Sequence, residues 1–352
     1  MKRVPGQEGH CISIYIFLYW MKQRRMNVAT IRQIAKLANV SVSTVSRVLN
    51  NHPYVNEQKR AEILRVMEEL NYTPNSNAVH LSKGKTNVIG ISLPVMNNQY
   101  YSSILEGISK EAAKHDYHIM VCQTNNNASK EKEVLHMLKN KRMDGLILCS
   151  KLNDCSLIEQ FATYAPIVTC EANVAPSVPS VHIDYYKTFK AGMDYLIQKG
   201  HAKIGYCIGR KSSHNTPHRK RAYIEGLQKI GTDFIQEWAL EECLTIEDGK
   251  KVAKQLLQMK KRPTALLVSC NHIAASIRKE LQSQGFRIPE DISIIGCDDQ
   301  PIGEMFDVTT IASSSELIGK TAFTLLYENI MHETTNIKRV ELPLQIIERT
   351  ST

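Results

Sequence analysis

Two patterns of apolar residues divide the chain. Between Thr30 and Leu70, apolar residues recur every three or four positions, which is the spacing of one helical face. From Asn87 onward the pattern changes to short continuous apolar runs separated by stretches of helical period. Such runs predict strands that are buried on both faces, as in a parallel sheet covered by helices. The pattern therefore predicts an all-α amino-terminal domain followed by a larger α/β body.

Seven apolar runs predict the strands of the α/β body. They are too many for one compact sheet, so we expect two lobes, each with its own parallel sheet. The helical stretches between the runs would cover both faces of each sheet. The runs are VIGISL (88–93), YHIMVC (117–122), DGLILC (144–149), PIVTC (166–170), KIGYCIG (203–209), TALLVS (264–269) and DISIIG (291–296).

A capping box begins the first predicted helix of the amino-terminal domain. Thr30 would cap the backbone and Gln33 would reach back to it. Asn39 follows the helix, and asparagine tolerates the left-handed backbone of a tight turn. Ser41 then caps a second helix, so the spacing predicts a helix-turn-helix. The apolar face of the first helix is Ile31, Ile34, Ala35 and Leu37.

The second helix, within ANVSVSTVSRVLNN (38–51), has an unusual polar face. That face carries Ser43, Thr44, Ser46, Arg47 and Asn50, where a solvated helix favours Glu and Lys. Short hydroxyls reach phosphates and base edges without crowding a major groove about 12 Å wide, and Arg47 can hold a phosphate or read a guanine. We therefore predict that this helix enters the major groove of DNA. The alternative is an ordinary amphipathic helix. Its apolar positions are Val42, Val45, Val48 and Leu49.

A third helix is predicted from Glu57 to about Leu70, with Asn56 as its cap. It ends before Pro74, because proline disfavours helix in the residue that precedes it. Its packing face is Ile63, Val66, Met67 and Leu70.

Positive charge is concentrated at the amino end. The chain carries a net charge of +9, of which residues 1–25 hold +4, residues 26–86 hold +4 and the remaining 266 residues only +1. This distribution is expected of a nucleic-acid-binding segment on a near-neutral body. The alternative is a solvated basic tail.

The first 25 residues do not fit either domain. Lys2-Arg3 followed by ISIYIFLYW (12–20) imitates a secretory signal, but no small-residue cleavage site follows. Met26 stands directly before the sequence that begins the helical domain. We interpret residues 1–25 as a mis-called start or a disordered extension, with a signal peptide as the alternative.

The cysteine pattern indicates a reducing compartment, and the apolar runs are too short for a membrane span. Nine cysteines are scattered singly, without a C-x-x-C pair, which suits reduced thiols used as small apolar side chains. No apolar run of about 18 residues is present, so no transmembrane helix is predicted. We expect a cytoplasmic protein, associated with the nucleoid, that binds no membrane. Five cysteines lie in or beside predicted strands: Cys122, Cys149, Cys170, Cys207 and Cys297.

The run TIRQIAKLANVSVSTVSRVLNN (30–51), with VNEQKRAEILRVMEELNY (55–72) behind it, resembles the amino-terminal domain of the LacI/GalR family of bacterial transcription regulators. The resemblance is specific over residues 30–81 and looser over the rest, and it leans towards the catabolite-control branch. Asn39 stands where the family usually has glycine. The resemblance implies a helix-turn-helix domain over 26–73, a hinge helix and linker over 74–86, and a periplasmic-binding-protein-like body over 87–350. Lobe 1 would hold about 87–184 and 314–340, and lobe 2 about 185–313 and 341–350.

The family implies a transcriptional regulator, most simply a repressor, that binds a palindromic double-stranded operator as a homodimer. Two hinge helices would lie in the minor groove, where Leu81 wedges into the central base step and bends the duplex. The expected DNA-contacting residues are Thr30, Ser41, Val42, Ser43, Thr44, Ser46, Arg47, Asn50, Tyr54, Asn75 and Leu81.

The family also implies an effector in the cleft between the lobes, at the strand ends. An arginine and carboxylates converging on a cleft suit a polyol, and the alternative is a surface ion pair or a strand-end cap. Cys270 stands where relatives often have Asn, and Cys297 replaces a common aromatic residue. A sugar, a sugar phosphate and a phosphoprotein corepressor therefore all remain candidates. The expected effector-binding residues are Pro94, Met96, Tyr100, Glu171, Arg219, Asn271 and Asp298.

No catalytic pattern is found. The sequence has no P-loop and no G-x-G-x-x-G that opens a helix after a strand. The pairs His214/His218 and Cys270/His272 lack further ligands at zinc spacing. We predict no catalytic residue, no metal and no cofactor. A sugar-binding protein for transport, without a DNA role, is the alternative function, but it would need export and no DNA-binding domain.

Overall fold

The computed structural model describes residues 29–73, 84–172, 176–298, 300–332 and 337–352. It divides the chain into one unit up to Lys85 and a second unit from Thr86, here called the head and the body. The segment predicted as an extension (1–25) and most of the predicted hinge, with Asn75 and Leu81, lie outside the described residues.

Three helices form the described part of the head: α1 (Ile31–Leu37), α2 (Val42–Leu49) and α3 (Glu57–Glu69). The predicted capping box is present, since the Gln33 N–H donates to Thr30 Oγ1 at 3.3 Å and Gln33 Oε1 accepts from the Thr30 N–H at 2.7 Å. Asn39 makes the turn with a φ of 51°. The Ser41 side chain caps α2, and its Oγ accepts from the Thr44 N–H at 3.1 Å.

One apolar cluster holds the three helices of the head together. Ile34, Val45 and Ile63 have no exposed surface in it, and burying each such side chain contributes about 1.5–3 kcal/mol. Two residues predicted on apolar faces are exposed instead, Leu37 by 60% and Val42 by 43%. Leu37 lies off the face defined by positions 31, 34, 35 and 38, and Val42 lies in the first turn of α2, beyond the packed part of that face.

The first sheet of the body has six strands, in the order β11-β5-β4-β3-β1-β2. All of its strand pairs are parallel. The strands are β1 (Val88–Leu93), β2 (His118–Gln123), β3 (Gly145–Leu148), β4 (Ile167–Thr169), β5 (Ser180–His182) and β11 (Arg339–Glu341).

The second sheet also has six strands, in the order β12-β10-β9-β8-β6-β7. Only β12 is antiparallel to its neighbour β10 among the described strand pairs of this sheet. Each of the seven predicted runs overlaps a strand of one of the two sheets, within one or two residues at each end, whereas β5, β7, β10, β11 and β12 were not predicted. The strands are β6 (Ile204–Cys207), β7 (Ala239–Leu240), β8 (Ala265–Val268), β9 (Ser293–Cys297), β10 (Thr309–Ala312) and β12 (Gln345–Ile347).

Helices cover both faces of each sheet. In the inner strands adjacent residues belong to different apolar clusters, as Leu266 and Leu267 of β8 do, so these strands are buried on both sides. The chain crosses between the two sheets three times, after β5, after β10 and after β11. The described helices of the body are α4 (Gln99–Lys114), α5 (Ala128–Lys139), α6 (Cys155–Ala162), α7 (Tyr185–Gln198), α8 (Thr216–Lys229), α9 (Ile246–Gln258), α10 (Asn271–Ser283), α11 (Pro301–Met305) and α12 (Ser315–His332).

Helices α4 and α12 pack closely against each other beside the first sheet. A Cβ built on Gly107 of α4 would lie 2.0 Å from the backbone oxygen of Glu316. A Cβ on Gly319 of α12 would lie 1.9 Å from the backbone oxygen of Ile104. Each glycine therefore allows the backbone of the other helix to approach to a distance that no side chain permits.

Candidate DNA-binding helix and effector cavity

The polar face of α2 is accessible in the head. Ser41, Ser43 and Arg47 are exposed, while Thr44 and Ser46 are half-buried. The hydroxyl of Ser41 lies 2.7 Å from that of Ser43 and 2.8 Å from that of Thr44. These hydroxyls form a compact polar cluster at the start of α2, where free backbone N–H groups also favour an anion.

The other predicted DNA-contacting residues of the described head are accessible too. Thr30, Val42, Asn50 and Tyr54 are all exposed. Tyr54 lies in the loop between α2 and α3, and the Arg60 guanidinium fixes this loop by donating to the His52 carbonyl oxygen at 2.6 Å. None of the nine predicted residues within the described head is buried.

A cavity of about 150 Å³ lies in the body, at the carboxyl ends of strands from both sheets. This is the place where open α/β sheets bind ligands. Four of the predicted effector residues line it: Tyr100, Glu171, Arg219 and Asp298. Its wall also includes residues that were not predicted, above all Asn98, Tyr101, Tyr185, Arg210, His272 and Gln300.

Arg219 reaches the cavity from α8. Its guanidinium carbon lies 4.3 Å from the ring centroid of Tyr185 and 5.7 Å from that of Phe189, so two aromatic rings hold the cation. Its Nε is buried and has no hydrogen-bond partner. Gln300 resembles it, because its Nε2 is also buried without a partner while its Oε1 lies 3.2 Å from His272 Nδ1. Arg219 and Gln300 therefore bring donors without a partner to the cavity wall, and acceptor oxygens of a ligand would satisfy them.

Two carboxylates face these donors. Burial raises the pKa of Asp298 to about 6, against the opposing effect of the positive charges of Arg219 and His272. Glu171 accepts from the Ser150 hydroxyl at 3.1 Å and from the Lys151 N–H at 3.0 Å, and burial still raises its pKa. Carboxylates and donors on one wall match hydroxyl groups, which both donate and accept.

Tyrosines complete the wall of the cavity. The hydroxyls of Tyr100 and Tyr185 lie 3.4 Å apart. Burial raises the pKa of Tyr185 to about 12 and raises the pKa values of Tyr100 and Tyr101 as well, so all three phenols are neutral at physiological pH. They offer a ligand aromatic surface and neutral hydroxyls. This surface partly replaces the aromatic residue that is common at the position of Cys297 in the family.

The remaining predicted effector residues do not line the cavity. Asn271 begins α10 with no exposed surface, and its Oδ1 accepts from the Thr310 hydroxyl at 3.2 Å. Pro94 is buried in the turn after β1, and Met96 is 54% exposed on that turn. All three follow strand ends, as predicted, but a position after a strand does not determine where the side chain points.

Comparison with known proteins identifies the family. The family model for bacterial regulatory proteins of the lacI family matches residues 30–75, and that for periplasmic binding proteins and the sugar binding domain of the LacI family matches residues 86–350. The chain belongs to the LacI family. It is therefore a DNA-binding transcriptional regulator with an effector-binding body, and a transport protein without a DNA role is excluded.

Curated relatives in this family are regulators. The chain is 39% identical to the uncharacterized HTH-type transcriptional regulator YkvZ of Bacillus subtilis, over 92% of this chain and 100% of that protein. It is 33% identical to catabolite control protein B of the same species, over 86% and 95%. A solved structure of the lac repressor dimer bound to operator and the anti-inducer ONPF is 25% identical, with a TM-score of 0.78, over 92% and 99%.

Two negative findings apply to the described part of this LacI-family chain. Within residues 29–73, 84–172, 176–298, 300–332 and 337–352, no group of three His, Cys, Asp or Glu side chains has an arrangement that would hold a metal ion. Over the same ranges, no helix has the length and apolar character needed to cross a membrane.

Proposed function

We propose that the chain represses transcription by binding a palindromic operator as a homodimer, under the control of a small polyol in the cavity. One observation carries the effector assignment. The cavity combines buried unpartnered donors, Arg219 Nε and Gln300 Nε2, with the carboxylates of Asp298 and Glu171. A polyol would satisfy both kinds of group, because each hydroxyl donates and accepts. Ligand binding would change the angle between the lobes and so the operator affinity, by a coupling of about 1–3 kcal/mol.

The polar face of α2 supports the operator part of this proposal. Its exposed hydroxyls and Arg47 suit a major groove, in which short side chains read base edges and phosphates. We expect selection of bound sequences from a randomised duplex pool, at near-physiological salt, to enrich one palindrome with a defined centre. Binding without enrichment that disappears as salt rises would contradict sequence-specific recognition.

Arg47→Ala is expected to weaken binding to the selected operator by about ten- to a hundredfold, because one arginine contact to a base is worth about 1–3 kcal/mol. The measurement is a titration of labelled operator. Arg65→Ala is the matched control, since Arg65 is an exposed arginine of the same unit that is already paired with Glu62 and Glu69. Equal losses in the two variants would mean that Arg47 contributes only general charge.

Arg219→Ala is expected to lower effector affinity by about ten- to a hundredfold, because hydrogen bonds from a charged group contribute about 1.5–3 kcal/mol. A panel of glucose, sucrose, cellobiose and glucose 6-phosphate would first be screened for ligands that raise the thermal unfolding temperature. Calorimetric titration would then compare the variants. Arg262→Ala is the control, because Arg262 is an arginine of the body that packs over the Phe286 ring and does not line the cavity.

Two outcomes would contradict the polyol assignment. If Arg219→Ala binds the selected sugar as tightly as Arg262→Ala does, the cavity residues have been assigned wrongly. If no sugar shifts unfolding but a phosphoprotein increases operator affinity, the corepressor alternative replaces the polyol.

We also infer that the chain is not an enzyme and acts in the cytoplasm, at the nucleoid. Its matched relatives are transcriptional regulators, and DNA in a bacterium is reached only from the cytoplasm. Fractionation of cells that express the chain would test this inference, since recovery in the periplasm would contradict it.

A further inference from the structure

Three cysteines of the body lie at the cavity that the effector would occupy. Three thiols line it: Cys149, Cys243 and Cys270. Two of these have a second thiol in the same apolar cluster, Cys170 for Cys149 and Cys207 for Cys243. The neighbouring thiol raises the pKa of Cys170 in the first pair and of Cys207 in the second. The control of operator binding by a polyol makes no use of any of them.

A reversal of the chain brings Cys243 beside Cys207. Glu242 has a φ of 59°, and its N–H donates to the Gly209 carbonyl oxygen at 3.0 Å. The next N–H, of Cys243, donates to the Ile208 carbonyl oxygen at 3.1 Å. The chain thus returns along the carboxyl end of β6, where Cys207 is the last residue of the strand. Both thiols belong to the same apolar cluster.

The two thiols of this pair have different environments. The hydrogen bond from Cys207 lowers the pKa of Cys243, while the same interaction and burial raise the pKa of Cys207. Cys243 also donates its S–H to the Glu241 carbonyl oxygen at 3.4 Å. Because Cys243 lines the cavity and has the lowered pKa, we assign it as the attacking thiol and Cys207 as the thiol that resolves the sulfenic acid. Cys207 has no exposed surface, whereas Cys243 forms part of the cavity wall. A small oxidant entering the cavity therefore meets Cys243 first.

We propose that Cys243 and Cys207 form a peroxide-sensitive pair that closes to a reversible disulfide in the cavity wall. The Cys243 thiolate attacks hydrogen peroxide, so that an S–O bond forms, the O–O bond breaks and hydroxide leaves. The Cys207 thiol then attacks the Cys243 sulfenic acid, so that the S–S bond forms and the oxygen leaves as water. In total, two thiols and one peroxide give a disulfide and two waters, and two electrons pass from sulfur to oxygen.

Through this pair the cavity would respond to peroxide as well as to a ligand. A ligand in the cavity would cover Cys243 and slow its oxidation, while the disulfide would tie the segment that carries Cys243 and Leu244 to β6 and change the wall that a ligand meets. The pair reacts regardless of which polyol binds, so its test does not depend on the effector assignment.

The test uses the reduced full-length protein, treated briefly with hydrogen peroxide and then alkylated with N-ethylmaleimide. Digestion without reductant, followed by mass spectrometry, should find the Cys207 and Cys243 peptides linked, and dithiothreitol should separate them. In Cys207→Ser the sulfenic acid has no partner, so dimedone should label Cys243. In Cys243→Ser the link should be lost and Cys207 should stay reduced, because it is buried. Cys155→Ser, which changes a half-buried thiol outside the cavity, should behave like the unsubstituted chain.

The proposal is wrong if Cys207 and Cys243 are both recovered as alkylated thiols at peroxide doses that oxidise Cys122 or Cys155. It is also wrong if dimedone does not label Cys243 in Cys207→Ser. Linked Cys149 and Cys170 peptides in place of the Cys207–Cys243 link would assign the reactive pair to the first lobe and overturn the assignment made here.

Discussion

Gly319→Ala is expected to lower the free energy of unfolding of the body by about 2–3 kcal/mol, although alanine normally stabilises a helix by about 1 kcal/mol relative to glycine. The added methyl group would meet the Ile104 backbone oxygen at 1.9 Å, and a backbone atom cannot rotate away as a side chain can. Helices α4 and α12 would have to separate and lose packing against the first sheet. Urea unfolding of the full-length chain, followed by circular dichroism, measures the effect.

Gly226→Ala is the matched control for this experiment. Gly226 lies within α8, and the three atoms nearest to a Cβ built there belong to the Met193 side chain, at 2.9 Å or more, with its mobile Cε the nearest. We expect Gly226→Ala to leave the free energy of unfolding nearly unchanged, because the gain in helix propensity offsets a small rearrangement of the Met193 side chain. In Gly107→Ala/Gly319→Ala the loss should be smaller than the sum of the single losses, since one separation of the helices relieves both contacts. Equal stability of Gly319→Ala and Gly226→Ala would refute the role of the close approach.

Asp298→Asn is expected to stabilise the body at pH 7 by about 3 kcal/mol while weakening effector binding. Burial raises the pKa of Asp298 from 3.8 to about 6, so the ionised form is disfavoured in the folded protein, at about 1.4 kcal/mol for each tenfold change in the ionisation constant. Asparagine removes the charge and also accepts the φ of 66° at this position. A site kept for binding at the expense of stability is typical of functional residues.

The pH dependence gives this prediction a sign that can be checked. Well below pH 3.8 the Asp298 carboxyl is protonated in both the folded and the unfolded chain and contributes no penalty. As the pH rises to about 6, the unfolded chain releases this proton first, so the free energy of unfolding falls and then stays lower. The stability difference between Asp298→Asn and the unsubstituted chain should therefore grow between pH 4 and pH 6. A difference that does not change over this range would contradict the raised pKa.

Local signals in the sequence predicted the local structure well. The capping box of Thr30 and Gln33, the left-handed Asn39 and the caps at Ser41 and Asn56 each depend on a few neighbouring residues. Six of the seven predicted strands are almost entirely buried, and a strand covered on both faces is apolar at every position. The edge strand β2 was predicted from its apolar centre, although its two ends are exposed. Edge strands such as β11 and β12, which are short and largely exposed, give no such signal.

Long-range features could not be predicted from the sequence. The close approach of α4 and α12 depends on two glycines that are far apart in the chain, and nothing near Gly107 indicates its partner. The cavity, too, could be predicted only in part from the sequence. The sequence indicated the strand ends around it, but the inward direction of Asp298 and the burial of Asn271 are set by the packing of α10 and α11 against the second sheet.

Neither sheet of the body can be completed until the ribosome has made β11 and β12, since each supplies an edge strand to a different sheet. The three helices of the head and the apolar cluster that holds them need only the residues up to Tyr72. A nascent chain can thus carry a folded DNA-binding head well before its body has closed. Synthesis that stops after α12 would leave a head able to approach DNA, attached to two sheets with open edges that invite aggregation or proteolysis. Prompt release and degradation of such fragments would protect the operator from a regulator that cannot respond to its ligand.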